Sequence, residues 1–278
     1  MILLPQDRYE LAIHQLMSMN INNLFARSVI ENHVDGKVFV DDASNPDTFY
    51  VMHPYGMSLL FGKVSDGFCA THLKDYILCH NDIRETTEFL QVYPHETEAK
   101  IDNILGGKLC LVENIIDHQN PIFVKHKRVN FKFNRKLFLN STADVDLSRY
   151  VFNKVDDSLF YSTEGKVVPK KFWNDASDFA KYGVGYSLRY DSQDVAVAFS
   201  SFMHDDMLEL GIETKEKYRR KGFAWIVCAK LILFCLENRL EPVWSCGLDN
   251  RGSYNLALKL GFEPVKYLAY YELPILKN

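Results

Sequence analysis

The chain carries little net charge: 32 Lys and Arg against 36 Asp and Glu leave a formal −4 over 278 residues. That balance gives no electrostatic reason to expect a nucleic acid or an anionic membrane as a main partner. Long apolar runs are lacking too. The longest, Phe223 to Leu236, is interrupted by Lys230 and reads as a buried helix rather than a membrane span. The opening MILLPQDRYELAIHQLM has no basic start and meets Asp7, Arg8 and Glu10 early, so it does not read as a signal peptide. The six cysteines (Cys69, Cys79, Cys110, Cys228, Cys235, Cys246) form no CxxC pair and no disulfide-like spacing, which points to reduced thiols and a cytoplasmic setting. Nine histidines occur without HExxH or a Cys–His zinc spacing, so no metal is expected. A P-loop, a GxGxxG fingerprint and a Ser–His–Asp signature are missing. No repeat period and no low-complexity tract is visible.

What is present is apolar surface to bury: 47% of the residues are hydrophobic and 13% aromatic. A sizeable core follows, and disorder does not. In the first third, residues 7–18 and 21–33 show helical spacing, with Asn20 or Asn22 as a cap between them. Lys37–Val40, Thr48–Met52 and Met57–Val64 read as short strands, and Ala70–Cys79 and Glu96–Leu105 as helices, the second ended by Gly106-Gly107. Val129–Leu139 alternates like a half-exposed strand. The pattern loosens between about 140 and 170.

Beyond it the order sharpens. Lys171–Lys181 predicts a helix, followed by strands at Gly185–Tyr190, Val195–Phe202 and Met207–Thr214. A long helix runs from about Gly222 to Asn238, then a strand at Pro242–Cys246, a helix at Gly252–Leu260 and a strand at Tyr267–Leu273. This is an α/β layout around a mixed central sheet.

Within it, the run from Leu208 to Ala224 passes from an apolar strand through the basic turn Arg219-Arg220-Lys221-Gly222 into a helix. A helix start exposes unpaired N–H groups and a partial positive charge, which together favour a phosphate. Gly222 permits close approach of backbone to a ligand, and Ala224 keeps the first turn uncrowded. The turn reads either as an anion cradle or as a solvated basic turn, and its place at the edge of a core favours the cradle.

Arg219-Arg220-Lys221-Gly222-Phe223-Ala224 resembles the [Q/R]-x-x-G-x-[G/A] acetyl-CoA loop of the GNAT superfamily of N-acetyltransferases. Downstream, Asn250-x-x-Ser253 leading to Lys259-Leu260-Gly261-Phe262 resembles its second signature. The run from Gly211 to Ala224, Phe172-Trp173, Gly183-x-Gly185 and the Trp244-Ser245-Cys246 stretch resemble the subgroup that includes the zwittermicin A resistance acetyltransferase. The likeness covers roughly 125–275, which sets the expected domains at 1–125 (an α/β domain without an assigned function) and 126–278 (a GNAT-like domain). Residues 1–120 carry no independent resemblance.

The resemblance implies acetyl-CoA as acetyl donor, direct attack by a primary amine, and a small-molecule acceptor. It implies that the backbone of Ile212–Thr214 pairs with the pantetheine arm, and that Arg219, Arg220, Lys221, Gly222, Phe223 and Ala224 hold the pyrophosphate. Asn250 and Ser253 would reach the thioester end, or only cap their helix. Many members carry a tyrosine four residues before the final Gly-Phe as acid for the CoA thiolate. Here that residue is Ala257, which leaves Ser253, Tyr254 or water for the role and leaves a non-catalytic CoA-binding or sensing module as the alternative. Glu209 and Glu213, four apart on the cofactor strand, emerge on one face, and Glu209 is the preferred base. Cys228 and Cys235 read as core, and Cys246 as packing rather than a reactive thiol. Phe49, Tyr50, Tyr55, Phe61 and Phe68 either line an acceptor pocket or pack strands. Oligomeric state is left open.

Overall fold

Short β-branched and aromatic runs separated by Asp, Asn, Pro and Gly build the first sheet of the computed structural model, which describes residues 1–79, 84, 86–115 and 122–276. Two compact units emerge: Met1–Arg128 with Gly247–Asp249 and Tyr267–Asn278, and Val129–Cys246 with Asn250–Lys266.

In the first unit, β1 (Ile2–Leu3), β2 (Lys37–Val40), β3 (Thr48–Met52), β4 (Met57–Gly62) and β5 (Glu88–Val92) lie side by side in chain order. β2, β3 and β4 are antiparallel, whereas β5 runs parallel to β4. The chain's last strand pairs antiparallel with β5, placing Tyr270 opposite Gln91. Short β6 (Leu109–Leu111) lies parallel to the start of β7 (Phe123–Phe133). Helices α1 (Ile13–Met17) and α2 (Leu24–Ile30) precede β2. Between β4 and β5 the chain forms α3 (Asp66–Phe68), a widened turn over Cys69–Leu73 and α4 (Lys74–Ile77). The next helix, α5 (Thr97–Leu105), sends Ile101 and Leu105 inward from one face. These helices bury Phe68, Leu73, Ile77, Ile101 and Leu105 against Tyr50, Leu60, Leu90, Val92, Tyr271 and Leu273 of the sheet. Each such apolar side chain contributes roughly 1.5–3 kcal/mol by leaving water. Buried Glu88 accepts hydrogen bonds from the hydroxyls of Tyr50, Ser58 and Tyr76, so its carboxylate is satisfied inside that core.

The second unit holds α6 (Arg135–Thr142), β8 (Val151–Lys154), α7 (Asp157–Ser162), α8 (Ala176–Tyr182), β9 (Gly185–Tyr190), β10 (Gln193–His204) and β11 (Met207–Thr214). After them come α9 (Phe223–Glu237), β12 (Glu241–Val243), β13 (Ser245–Gly247), α10 (Arg251–Lys259) and β14 (Phe262–Leu273). The sheet order is β12-β11-β10-β9-β8, antiparallel except for the parallel β11–β12 pair. α9 buries Ile226, Val227, Cys228, Ala229, Leu231, Ile232 and Cys235, which explains its nearly uniform apolar sequence. The Phe199 ring lies over Gly211, where a Cβ would stand 2.6 Å from it, so that strand position takes no side chain.

The α/β class, with mixed sheets flanked by helices, is as expected. Several boundaries differ from the sequence reading. The alternation at 129–139 ends at Phe133, because Asn134 accepts the Leu137 N–H and starts α6. The helix expected at 171–181 starts only at Ala176, where Asp175 caps it, while Phe172 and Trp173 are drawn into the core ahead of it. The stretch at 66–77 starts earlier than the expected Ala70, at the cap Ser65. α2 follows Asn23, with Asn22 Oδ1 accepting the Leu24 N–H at 3.2 Å. The loose 140–170 region contains β8 and α7. The single strand expected at 242–246 is two strands that break at Trp244.

The two units repeat one succession: three antiparallel strands, a helical stretch, then a strand parallel to the third. No sequence period announces it. Among the described residues no helix is long and apolar enough to cross a membrane.

Candidate active site

Strand pairing ends early at one place in the second unit. β11 and β12 share Met207↔Glu241, Leu208↔Pro242 and Glu209↔Val243, and no further rung. β12 then stops, Trp244 gives its carbonyl to the Phe131 N–H at 3.1 Å, and β13 joins β7 instead. Leu210–Thr214 thereby keeps one backbone edge unpaired by any strand among the described residues. An open strand edge is a ready partner for an extended, amide-bearing ligand. Ile212 is half-buried along this edge. At its end, Thr214 Oγ1 is buried and makes no hydrogen bond among the described residues, so the edge terminates in an unspent polar group.

The same strand leads into the start of α9. Gly222 occupies the N-cap position with φ +83°, and no side chain caps the helix. Its first N–H groups therefore stay available, with the positive end of the helix dipole behind them. A Cβ at Gly222 would meet nothing within 4 Å, so the glycine is needed for its left-handed backbone and the space above it is open. Arg220 is also left-handed, at φ +63°. Phe223 turns its ring inward onto Tyr190 at 4.9 Å, leaving its N–H for the turn, and Ala224 is half-buried. Lys221 Nζ sits 5.2 Å above the Tyr218 ring. Arg219 folds back on the strand: Nε donates to Thr214 O at 3.1 Å and Nη2 to Glu213 Oε1 at 3.3 Å.

The two glutamates of β11 have different surroundings. Glu213 is saturated: Oε2 accepts the N–H groups of Lys166 and Val167, and Oε1 accepts from Arg219 and the Thr214 N–H. It pins a loop. Glu209 is buried at the last rung of the β11–β12 pair, and Oε1 accepts the Ser245 hydroxyl at 2.6 Å. Ser245 and Trp244 went unnoticed as site residues in the sequence. Their signal is the break of the strand pattern, which only the pairing reveals.

Asn250 caps α10, its Oδ1 accepting the Ser253 N–H at 3.1 Å, and the residue is exposed. Ser253 Oγ accepts the Trp244 indole N–H at 3.2 Å and keeps its own proton to donate. Tyr254 lies edge-on to Phe131, with ring centroids 5.4 Å apart. Ala257 is fully buried. Trp225 Nε1 donates to Lys259 O at 3.3 Å, joining α9 to α10. Burial pushes the Cys235 thiol up to about 12 and Cys228 still higher, and Cys246 is buried as well. All three side chains lie in the core.

The matching place in the first unit is shut. β4 and β5 stay paired from Met57↔Phe89 to Leu60↔Val92, and the Tyr93 N–H adds a bond to Leu60 O at 2.9 Å. The helix that follows β4 is capped by Ser65, whose hydroxyl accepts the Phe68 N–H, and it opens with Asp66. A capped, acidic helix start disfavours an anion. Of the N-terminal aromatics, Phe49, Tyr50, Phe61 and Phe68 are core, and only Tyr55 is half-buried.

A parted parallel strand pair thus lies beside a bare, glycine-led helix start. The model of the GNAT acetyltransferase family matches residues 14–271. An uncharacterized N-acetyltransferase of Bacillus subtilis (strain 168), YdfB, is 26% identical over 249 residues, 89% of each chain. A GCN5-related N-acetyltransferase-like protein from Streptococcus suis superposes with a TM-score of 0.70 at 19% identity, over 96% of this chain and 99% of that one. A tandem GNAT protein from the clavulanic acid biosynthesis pathway does so with a TM-score of 0.57 at 9% identity, over 100% and 98%. These two likenesses are of fold, and they agree with the repeated succession of elements in the two units. With the family match spanning nearly the whole length, the chain belongs to the GNAT acetyltransferase family.

Proposed function

We propose that the chain transfers the acetyl group of acetyl-CoA to a primary amine of a small molecule, by direct attack within a ternary complex. The observation that carries this reading is the early parting of β11 and β12 next to the uncapped start of α9. In it, the amides from Arg220 to Ala224 hold the pyrophosphate, with Arg219 and Lys221 adding positive charge. The Ile212–Thr214 backbone takes the pantetheine amides, and the exposed Asn250 side chain contacts the same arm. The small-molecule acceptor comes from the sequence likeness to the zwittermicin A resistance subgroup, and the free cysteines suit a cytoplasmic setting.

An amine attacks a thioester only when neutral. Glu209 takes the ammonium proton, directly or through water, with the Ser245 hydroxyl holding the carboxylate in place. The nitrogen then bonds to the acetyl carbon, the C–S bond breaks, and the electron pair leaves with sulfur. Ser253, oriented by the Trp244 indole, gives its hydroxyl proton to the thiolate and regains one from the amide nitrogen or solvent. No residue forms a covalent acyl intermediate.

The buried Ala257 favours a second reading, a CoA-binding sensor without turnover. Amine-dependent release of the CoA thiol separates the two. Release by wild type, lost in Glu209→Gln with acetyl-CoA binding kept, supports the enzyme. Tight binding with no release for any amine class supports the sensor.

A further inference from the structure

The first unit carries a polar cluster on the sheet face opposite its apolar core. Tyr271 and Leu273 of β14 point into that core, so Tyr270 and Glu272 emerge on the other side. Gln91 stands opposite Tyr270 in register and shares its face. The Tyr270 ring stacks on Phe89 with centroids 5.2 Å apart, and the Arg128 guanidinium lies 5.6 Å from the Tyr270 centroid. His126 meets Tyr270 edge-on at 6.2 Å and is held between two carboxylates. Its Nδ1 lies 3.2 Å from Asp249 Oδ2, and its Nε2 3.1 Å from Glu272 Oε2.

Two features of this cluster point to a ligand. The first is Gln91: it is 1% exposed, yet neither its amide oxygen nor its amide nitrogen makes a hydrogen bond among the described residues. A buried amide of this kind is destabilising unless something satisfies it. The second is charge and access. Among the described residues named in this cluster, the two carboxylates outnumber the single guanidinium. The side chains of Asp249 and Glu272 are 47% and 37% exposed, and Oδ1 and Oε1 lie outside the histidine bonds. One ammonium group completes this arrangement, with an aromatic pair beside it for a flat carbon skeleton.

We infer that this face, built by Asp249, Glu272, His126, Tyr270 and Gln91, binds the ammonium group of a small aromatic or planar amine. All five residues belong to the first unit, so this face stands apart from the acetyltransferase reading. His126 is a positioning residue that sets the two carboxylates, and Gln91 takes a polar substituent of the ligand.

The test titrates the full chain with 2-phenylethylammonium, its neutral counterpart 2-phenylethanol and the anion 3-phenylpropionate, followed by ligand-observed NMR. The ammonium should bind about fivefold or more tightly than the other two, and Asp249→Asn and Glu272→Gln should each weaken it by about fivefold. Acetyl-CoA affinity and thermal midpoint, measured alongside, should stay at wild-type values in both variants. Equal affinity for the ammonium and the alcohol, or no effect of either substitution, overturns the proposal. Absence of acetyl-CoA binding in the wild type overturns the acetyltransferase reading instead, because the ammonium preference is read independently of it.

Discussion

Ser245 donates its hydroxyl to Glu209 Oε1 at 2.6 Å on the last rung that β11 and β12 share. The bond fastens a buried carboxylate at the point where the two strands begin to part. Glu209→Gln keeps the size and the hydrogen bond but removes the base. We expect kcat to fall about 10²- to 10³-fold, with acetyl-CoA affinity within about twofold of wild type. Ser245→Ala leaves the base in place without its anchor, and kcat should fall by about tenfold. Steady-state kinetics on purified variants, with a binding titration beside them, check both. A Glu209→Gln enzyme of normal kcat removes Glu209 from the mechanism.

Ala257 has no exposed surface, so the tyrosine that the family resemblance leads one to expect there would crowd the core of this chain. Introducing it by Ala257→Tyr is expected to cost about 1–3 kcal/mol through overpacking, lowering the unfolding midpoint in calorimetry, and to add no activity. A faster and equally stable variant would mean that the thiolate acid is missing here rather than supplied by Ser253.

His53 in the first unit is 3% exposed, and burial lowers its pKa from the ordinary value of 6.5 to about 3. Its Nδ1 accepts the Tyr55 N–H at 3.0 Å, which requires the neutral ring. The unfolded chain binds a proton at this residue below about pH 6.5 and the folded chain does not. This contribution is therefore complete above pH 6.5 and is lost progressively as pH falls toward 3. If the whole shift is expressed, it amounts to on the order of 5 kcal/mol. His53→Asn, which keeps an acceptor for the Tyr55 N–H, should flatten the acid limb of a denaturation-versus-pH curve between those values. An unchanged acid limb contradicts the assignment.

The second unit was largely legible in the sequence, because α9 and strands β9 to β11 announce themselves by apolar periodicity and clear turn residues such as Asp191 and Ser192. The glycine-led helix start at Gly222 was legible for the same reason. Less visible were features set by pairing. Nothing in Glu241–Gly247 says that the chain changes partner at Trp244, although that change makes the open edge. Caps decided other misses: Asn134 and Asp175 each accept a helix N–H and override the periodicity around them. The duplicated succession of elements escaped notice because the two copies satisfy one topology with different residues. Ser65 and Asp66 close in the first unit what Gly222 leaves open in the second.

The central claim is that acetyl-CoA binds once per chain, at the start of α9. Calorimetric titration of acetyl-CoA into wild type and Gly222→Asp tests it most directly. The left-handed backbone at φ +83° resists a side chain, and a carboxylate placed in the open space above it repels the pyrophosphate. The account predicts about one equivalent bound with micromolar affinity, weakened by about a hundredfold or more in the variant. No binding in wild type, or binding that Gly222→Asp leaves unchanged, would contradict it.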